Sequence, residues 1–209
     1  ENKLIQIETE EFPNSTISDQ GNGDYALISN RKPYQLSSQW TGQFSANDLA
    51  VLNIKTGVSK TVIKGLPSSA RFSPKGKYAY GYNEIDSTWY TYNVKTDKYT
   101  ELTKGKQFYN ELNDYPNYPR SYGSAGWTKN DKTILIYDRF DLWEFSPENG
   151  TQKKITNGRK SKTTYRVIDL DSEKRFIDKT DKILMSTFNE ISKNSGYYEY
   201  NYRLSLIHI

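Results

Sequence analysis

Cysteine is absent from the 209-residue chain, and histidine occurs once. Without cysteine there is no disulfide, no thiolate zinc site and no thiol nucleophile. A serine–histidine–aspartate relay needs a histidine to carry the proton, and the single one, His208, is the penultimate residue. The G-x-S-x-G turn that presents a hydrolase serine is also missing, because Gly123-Ser124-Ala125-Gly126 has the wrong spacing. No catalytic residue is assigned, and the sequence implies no cofactor.

Long apolar runs are lacking too. None approaches the roughly 18 residues that span a bilayer as a helix, so no membrane insertion is expected, and no signal peptide is visible at Glu1. Charge of one sign is scarce: 29 basic against 25 acidic side chains leave a net charge of +4. The densest basic run, Lys153-Lys154 to Arg159-Lys160-Ser161-Lys162, is broken by turn residues. It reads as a lysine-guarded strand edge in preference to a phosphate or lipid site, and no nucleic-acid partner is expected. Gly21-Asn22-Gly23 leads into a strand and not a helix, so it is no phosphate cradle. Asp169-Leu170-Asp171-Ser172-Glu173 starts like a calcium loop, but Lys174 and Thr180 stand where such a loop needs glycine and glutamate. No metal site is assigned.

Aromatic residues are abundant. They make up 14% of the chain, with 18 Tyr and 4 Trp, while mean hydropathy is only −0.88. Disordered chains are poor in aromatics, whereas Tyr and Trp suit pleated, half-buried surfaces with one wet end. The stretch Lys132 to Gly158 shows the unit: strands at Thr133 to Asp138, Asp141 to Ser146 and Thr151 to Thr156, joined by tight turns. Similar meanders recur with strands at Asp24 to Asn30, Leu49 to Asn53 and Val58 to Ile63, and again at Lys77 to Asn83, Trp89 to Asn93 and Lys98 to Thr103. A last copy has Lys182 to Asn189 and Gly196 to Tyr202.

Recurrence at about 40 to 55 residues with three or four strands per unit is the pattern of β-propeller blades. The fold class expected is all-β: an incomplete propeller of about four blades, each a four-stranded antiparallel meander. The blades fall at 17–66, 67–106, 123–160 and 163–202, within a single partial-propeller domain at 1–202. Residues 1–16 alternate weakly and resemble the last strand of a preceding unit. A β-sandwich is the weaker alternative, since its strands do not recur as copies of one unit. Phe72 and Trp127 begin matching turns and are expected to pack between neighbouring blades, and no long helix is predicted. Terminal blades of an open propeller should leave a bare face and promote association.

One insertion stands out. Residues 107–125 carry four Tyr, two Pro and Arg120. A loop this long is usually functional or packs as an Ω-loop over a blade interface, and the second use is the commoner. Asp138 and Asp141 flank Arg139; their expected use is structural, accepting backbone N–H bonds and pairing with Arg139, ahead of acid–base work. The glycosylation-type triplets at Asn14 and Asn149 arise easily by chance, and Asn149-Gly150 is more simply a turn.

Several strings carry a resemblance: Ala125-Gly126-Trp127-Thr128, Ile136-Tyr137-Asp138-Arg139-Phe140-Asp141-Leu142-Trp143, Ile155-Thr156-Asn157-Gly158, and Ser186-Thr187-Phe188-Asn189-Glu190 with Lys193 and Gly196-Tyr197-Tyr198. Together they resemble the N-terminal propeller of prolyl-oligopeptidase-family serine peptidases, closest to large secreted or periplasmic members of the Bacteroidetes type. The resemblance covers residues 20 to 202 and implies a periplasmic or extracellular setting. It also implies a parent that cleaves oligopeptides with a separate α/β-hydrolase domain, whose Ser, Asp and His match nothing here. This chain would then gate access to that domain. The glutamate pair Glu10-Glu11 does not fit the family's substrate anchor. Tyr115, Tyr118, Arg120 and Tyr122 are the residues expected to contact peptide substrate or the hydrolase domain. The alternative is a stand-alone propeller that binds protein or glycan through the same tyrosines. Residues 203–209 lose the repeat pattern and read as a non-native tail.

Overall fold

The computed structural model of the chain describes residues 4–41, 46–67, 70–202 and 205–208. They form four antiparallel sheets, each a meander of four strands in chain order. The first holds β1 (Asn14–Ile17), β2 (Tyr25–Asn30), β3 (Asn47–Asn53) and β4 (Ser59–Leu66). The second holds β5 (Arg71–Phe72), β6 (Tyr78–Asn83), β7 (Thr88–Asn93) and β8 (Lys98–Glu101). The third holds β9 (Ser124–Trp127), β10 (Ile134–Tyr137), β11 (Leu142–Phe145) and β12 (Gln152–Lys154). The fourth holds β13 (Thr163–Val167), β14 (Lys182–Asn189), β15 (Ser195–Asn201) and β16 (Ser205–His208). A seven-residue helix, α1 (Gln35–Thr41), lies between β2 and β3.

Short side chains at strand ends make the turns. Asn53, Asn83, Asn93 and Asn189 each accept, at Oδ1, the N–H groups of the residues two and three positions on. Such a side chain mimics a backbone turn and reverses the chain. Asp138 makes the same turn, accepting from Phe140 and Asp141 at 2.8 and 2.6 Å.

Because strand side chains alternate between faces, each inner strand serves two seams. In β10, Ile134 and Ile136 pack against the second sheet while Leu135 and Tyr137 pack against the fourth. In β6, Tyr78 and Tyr82 face the third sheet and Ala79 faces the first. Trp127, 1% exposed, stacks on Tyr78 at 5.4 Å and meets Tyr80 edge-on at 5.2 Å. Phe72 packs into the seam between the first and second sheets. Four-stranded meanders stacked through their faces in this way are the blades of a β-propeller.

One outer face differs from expectation. The first sheet's side away from the second is not bare: Ile7 and the buried Phe12, from the segment before β1, cover Ala26, Ile28, Ala50 and Leu52. This short apolar cover buries a face that no sheet occupies. At the other end, Ser205–His208 pairs with Tyr198–Asn201 although it belongs to the expected tail. Backbone pairing of an edge strand asks little of side-chain identity, and residues 203, 204 and 209 of that tail lie outside the described residues.

The connections define two ends of the propeller. The front face carries the links from second to third strand and from one sheet to the next; the back face carries the other two turns of each sheet. On the back face, buried Asp131 of the third sheet clasps a turn of the second, accepting from Ser73 Oγ at 2.5 Å and from the N–H groups of Lys75 and Lys77 at 3.0 and 3.2 Å.

Replacing Trp127 with Ala is expected to cost about 3–5 kcal/mol by emptying the central seam. Trp40→Ala, at a side chain 88% exposed, is expected to change stability by less than about 0.5 kcal/mol. Urea unfolding of both variants checks the contrast, and equal midpoints would contradict it.

Candidate functional site

The front face gathers the insertion and a cluster of charges. The link from β8 to β9 closes on itself where Tyr109 bridges Ser121 and the Asn110 N–H donates to the Arg120 carbonyl at 2.7 Å. Below that closure Phe108 is buried edge-on to Phe145 and Trp143, at 5.3 and 5.8 Å. Tyr82 ties the loop down from the second sheet, its hydroxyl donating to the Pro119 carbonyl at 3.1 Å. The insertion is therefore a packed loop seated over a blade seam.

Its four expected contact residues have different jobs. Tyr122 is half-buried: its hydroxyl accepts from the Glu111 N–H at 2.9 Å and donates to Asn110 Oδ1 at 3.3 Å, so it braces the loop. Tyr118 is half-buried, and its N–H donates to Asn117 Oδ1. Arg120 is exposed and lies near enough to Glu84 to favour that carboxylate's charge. Tyr115 stands at the tip, 76% exposed. Of the four, Tyr115 and Arg120 are the exposed ones.

Glu111 carries the loop into the charge cluster. It accepts from both terminal nitrogens of Arg159, at 2.6 and 3.2 Å, and Arg139 stands 4.0 Å away. The hydrogen bonds to Glu111 raise the pKa of the Arg159 guanidinium. Arg139 makes three hydrogen bonds to Glu190 of the fourth sheet, at 2.8 to 3.2 Å. This corrects the expected pairing of Arg139 with its neighbouring aspartates. Asp138 is filled by the turn N–H groups, by Trp143 Nε1 at 3.0 Å and by Arg159 Nη2 at 3.5 Å. Asp141 is filled by Thr156 Oγ1, the N–H groups of Gly158 and Arg159, and Lys154 Nζ. With both carboxylates saturated, Arg139 reaches outward to the next sheet. Arg139, Arg159 and Lys162 also surround the buried Phe140 ring at 4.9 to 5.2 Å from its centroid. Within the basic run, Lys154 is taken by Asp141 and Arg159 by Glu111, so these two charges are spent inside the fold.

Apolar side chains add to this face. Leu36 and Trp40 on α1, Ile85, Leu112, Tyr115 and Ile191 are exposed, and every one lies on a front-face connection. Among the described residues, the back-face turns expose only Val58 and Leu170 as large apolar side chains. Asp169 and Asp171, which begin the calcium-like run, accept backbone N–H bonds from Asp171 and Glu173. Among the described residues, no cluster of three His, Cys, Asp or Glu is placed to hold a metal. No helix among them is long and apolar enough to cross a membrane.

No protein-family model and no curated protein matches the chain. Solved structures do. Dipeptidyl peptidase 4 from Porphyromonas gingivalis superposes with a TM-score of 0.51 at 12% identity, over 93% of this chain and 32% of that one. TolB from Acinetobacter baumannii gives 0.42 at 12% identity, over 85% and 46%. The β-propeller domain of the Trilobed protease from Pyrococcus furiosus gives 0.39 at 11% identity, over 90% and 68%. The likeness to the first establishes the propeller fold. The chain spans less than half the length of that peptidase and of the Acinetobacter TolB.

Sequence reasoning found the insertion but missed α1, Glu111 and Glu190 as parts of this face. The one available signal was the long gap between the strands at Asp24 to Asn30 and Leu49 to Asn53.

Glu84 offers a pH test of how the loop is seated. Its Oε2 is buried without a hydrogen-bond partner, and burial raises its pKa above the ordinary 4.5, with Arg120 opposing. A raised carboxyl pKa means the folded chain holds the proton more tightly than the unfolded one. The stabilisation is then complete below 4.5 and is lost as pH climbs through the folded value. Glu84→Gln is expected to raise the urea midpoint at about pH 7 and to leave it unchanged at about pH 4. Equal effects at both pH values would contradict this.

Proposed function

We infer that this chain is the non-catalytic propeller portion of a serine peptidase acting on oligopeptides, and that its front face docks the α/β-hydrolase domain and restricts access to it. The observation that carries this reading is the one-sided distribution of exposed apolar side chains among the connections between strands. Scattered surface hydrophobes are ordinary, but several gathered on one face around a braced loop mark an interaction surface. Tyr115 and Leu112 at the loop tip, with Trp40 and Leu36 on α1, supply the apolar contacts. The Arg159–Glu111 pair ties the loop to the third sheet, and the Arg139–Glu190 pair joins that sheet to the fourth. The fold shared with a dipeptidyl peptidase and the family-like strings around Asp138 to Trp143 support the same assignment, and a periplasmic or extracellular setting goes with it. Exposed Tyr115 and Trp40 also suit stacking on a sugar, which favours a stand-alone glycan-binding propeller as the second reading.

The reading frame past Tyr202 separates the two. It is expected to encode further blades, then a G-x-S-x-G serine followed by Asp and His; a stop codon after further blades would overturn the peptidase assignment. The 209-residue chain by itself is expected to leave a fluorogenic peptide intact. In the full-length protein, amide exchange at Leu112 to Tyr118 should be slower than in the 209-residue chain. Equal exchange would remove the docking role from this face.

A further inference from the structure

On the back face, the first two strands are joined tightly in the second and third sheets, by residues 73–77 and 128–133, whereas the fourth sheet uses residues 168–181. A connection of that length in a compact domain usually has a function. This one touches every other sheet. Arg175 donates from Nη1 to Asp19, in the first sheet's turn, at 2.7 Å and from Nη2 to the Pro74 carbonyl in the second's. Ile177 bridges Thr128 of the third in parallel, its N–H donating to the Trp127 carbonyl at 2.7 Å and its carbonyl accepting from the Lys129 N–H at 3.1 Å. Among the described residues the first and fourth sheets share no apolar seam. A contact between them therefore crosses the concave side of the four-blade arc, and residues 168–181 strap that side at its back end.

The strap has a fixed foot and a loose tip. At the foot, Asp178 pairs with Lys129 at 3.0 Å and Lys179 reaches the buried Glu144 of β11. A buried carboxylate loses much when its cation leaves, so this end stays. The tip is held in shape by its own bonds: the N–H groups of Asp171 and Glu173 donate to the side chains of Asp169 and Asp171 at 3.1 Å each, and Lys174 folds back on Asp181. Its catch on the first sheet is the Arg175–Asp19 pair, whose side chains are 30% and 23% exposed, where water and salt compete. Segments held by so few contacts open locally while the rest of the fold stays intact.

Behind the strap lies a groove of about 650 Å³, with Lys174 to Ile177 on one wall and Ser124 to Gly126 of β9 on another. That volume falls within the range of small-ligand sites. Moving the tip removes one wall.

We propose that residues 169–177 are a hinged strap over this groove, latched by Arg175 on Asp19, and that unlatching opens the concave side of the propeller from its back face. Because the latch joins the first sheet to the fourth, any motion that parts those two sheets pulls on it. This goes beyond front-face docking and does not rest on it, since the strap lies at the other end of the propeller and its test needs no hydrolase domain.

The N–H groups of Ile177 and Lys129 report the docked strap, and hydrogen exchange followed by NMR on the 209-residue chain reads them. In the wild type both are expected to exchange by local opening, with little dependence on dilute urea, while the core amide of Leu135 follows global unfolding. Asp19→Asn, which suits the left-handed backbone at φ 48°, and Arg175→Gln should each speed exchange at Ile177 by about threefold or more, the scale of a partly exposed ion pair. The chain has no cysteine, so Ser124→Cys places a single thiol in the groove wall. An uncharged maleimide should modify that thiol faster, in the same proportion, when Asp19→Asn is added. Raising NaCl from about 0.05 to about 0.5 M should speed Ile177 exchange in the wild type without any substitution, a comparison that stands if a variant folds poorly. Ile177 exchange that shares the urea slope of Leu135, exchange indifferent to salt and to both latch variants, or faster exchange with unchanged thiol reactivity would each overturn the proposal.

Discussion

Every sheet in this propeller depends on strict alternation along its strands. A meander of four short strands has two faces, and neither can be left to water if it is apolar. By sending Ile134 and Ile136 one way and Leu135 and Tyr137 the other, β10 gives each neighbour half of a seam. A slip of one residue in any inner strand would exchange the two sets and spoil both seams together. The aromatic richness follows from the same geometry. A thin sheet needs wide side chains to bridge the space to its neighbour, and Trp127 between Tyr78 and Tyr80 does this where the second and third sheets meet.

Polar groups then fix what the seams leave free. Each connection would expose unsatisfied backbone N–H groups as it turns, and short Asn or Asp side chains absorb them. On the back face Asp131 does this for a turn of another sheet and joins two blades. On the front face, the same filling of Asp138 and Asp141 leaves Arg139 to bind Glu190, while Arg159 spans Glu111 and Asp138. The charged lattice under the insertion is therefore a by-product of well-made turns.

The strands themselves were largely legible. Runs such as Tyr78 to Asn83 and Lys182 to Asn189 alternate clearly and end at Asn, so both periodicity and termination are written locally. Phe72 and Trp127 could be placed in seams because each opens a turn that must return between blades. The strands β1 and β13 are short and polar, and became visible only through their pairing with β2 and β14. The partner of Arg139 lies 51 residues away in Glu190 and is chosen by sheet stacking, which local spacing cannot report. Of the four expected contact residues, Tyr115 keeps an outward role, while Tyr122 is occupied as a brace because loop closure brings Glu111 and Asn110 to its hydroxyl.

Phe12 also changes what the outer side of the first sheet is. With Ile7 it rests on Ala26, Ile28, Ala50 and Leu52, in the position a neighbouring sheet would take. A sheet could pack there only by displacing this tethered cover. Phe12, two residues before the edge strand β1, is the largest side chain of that cover.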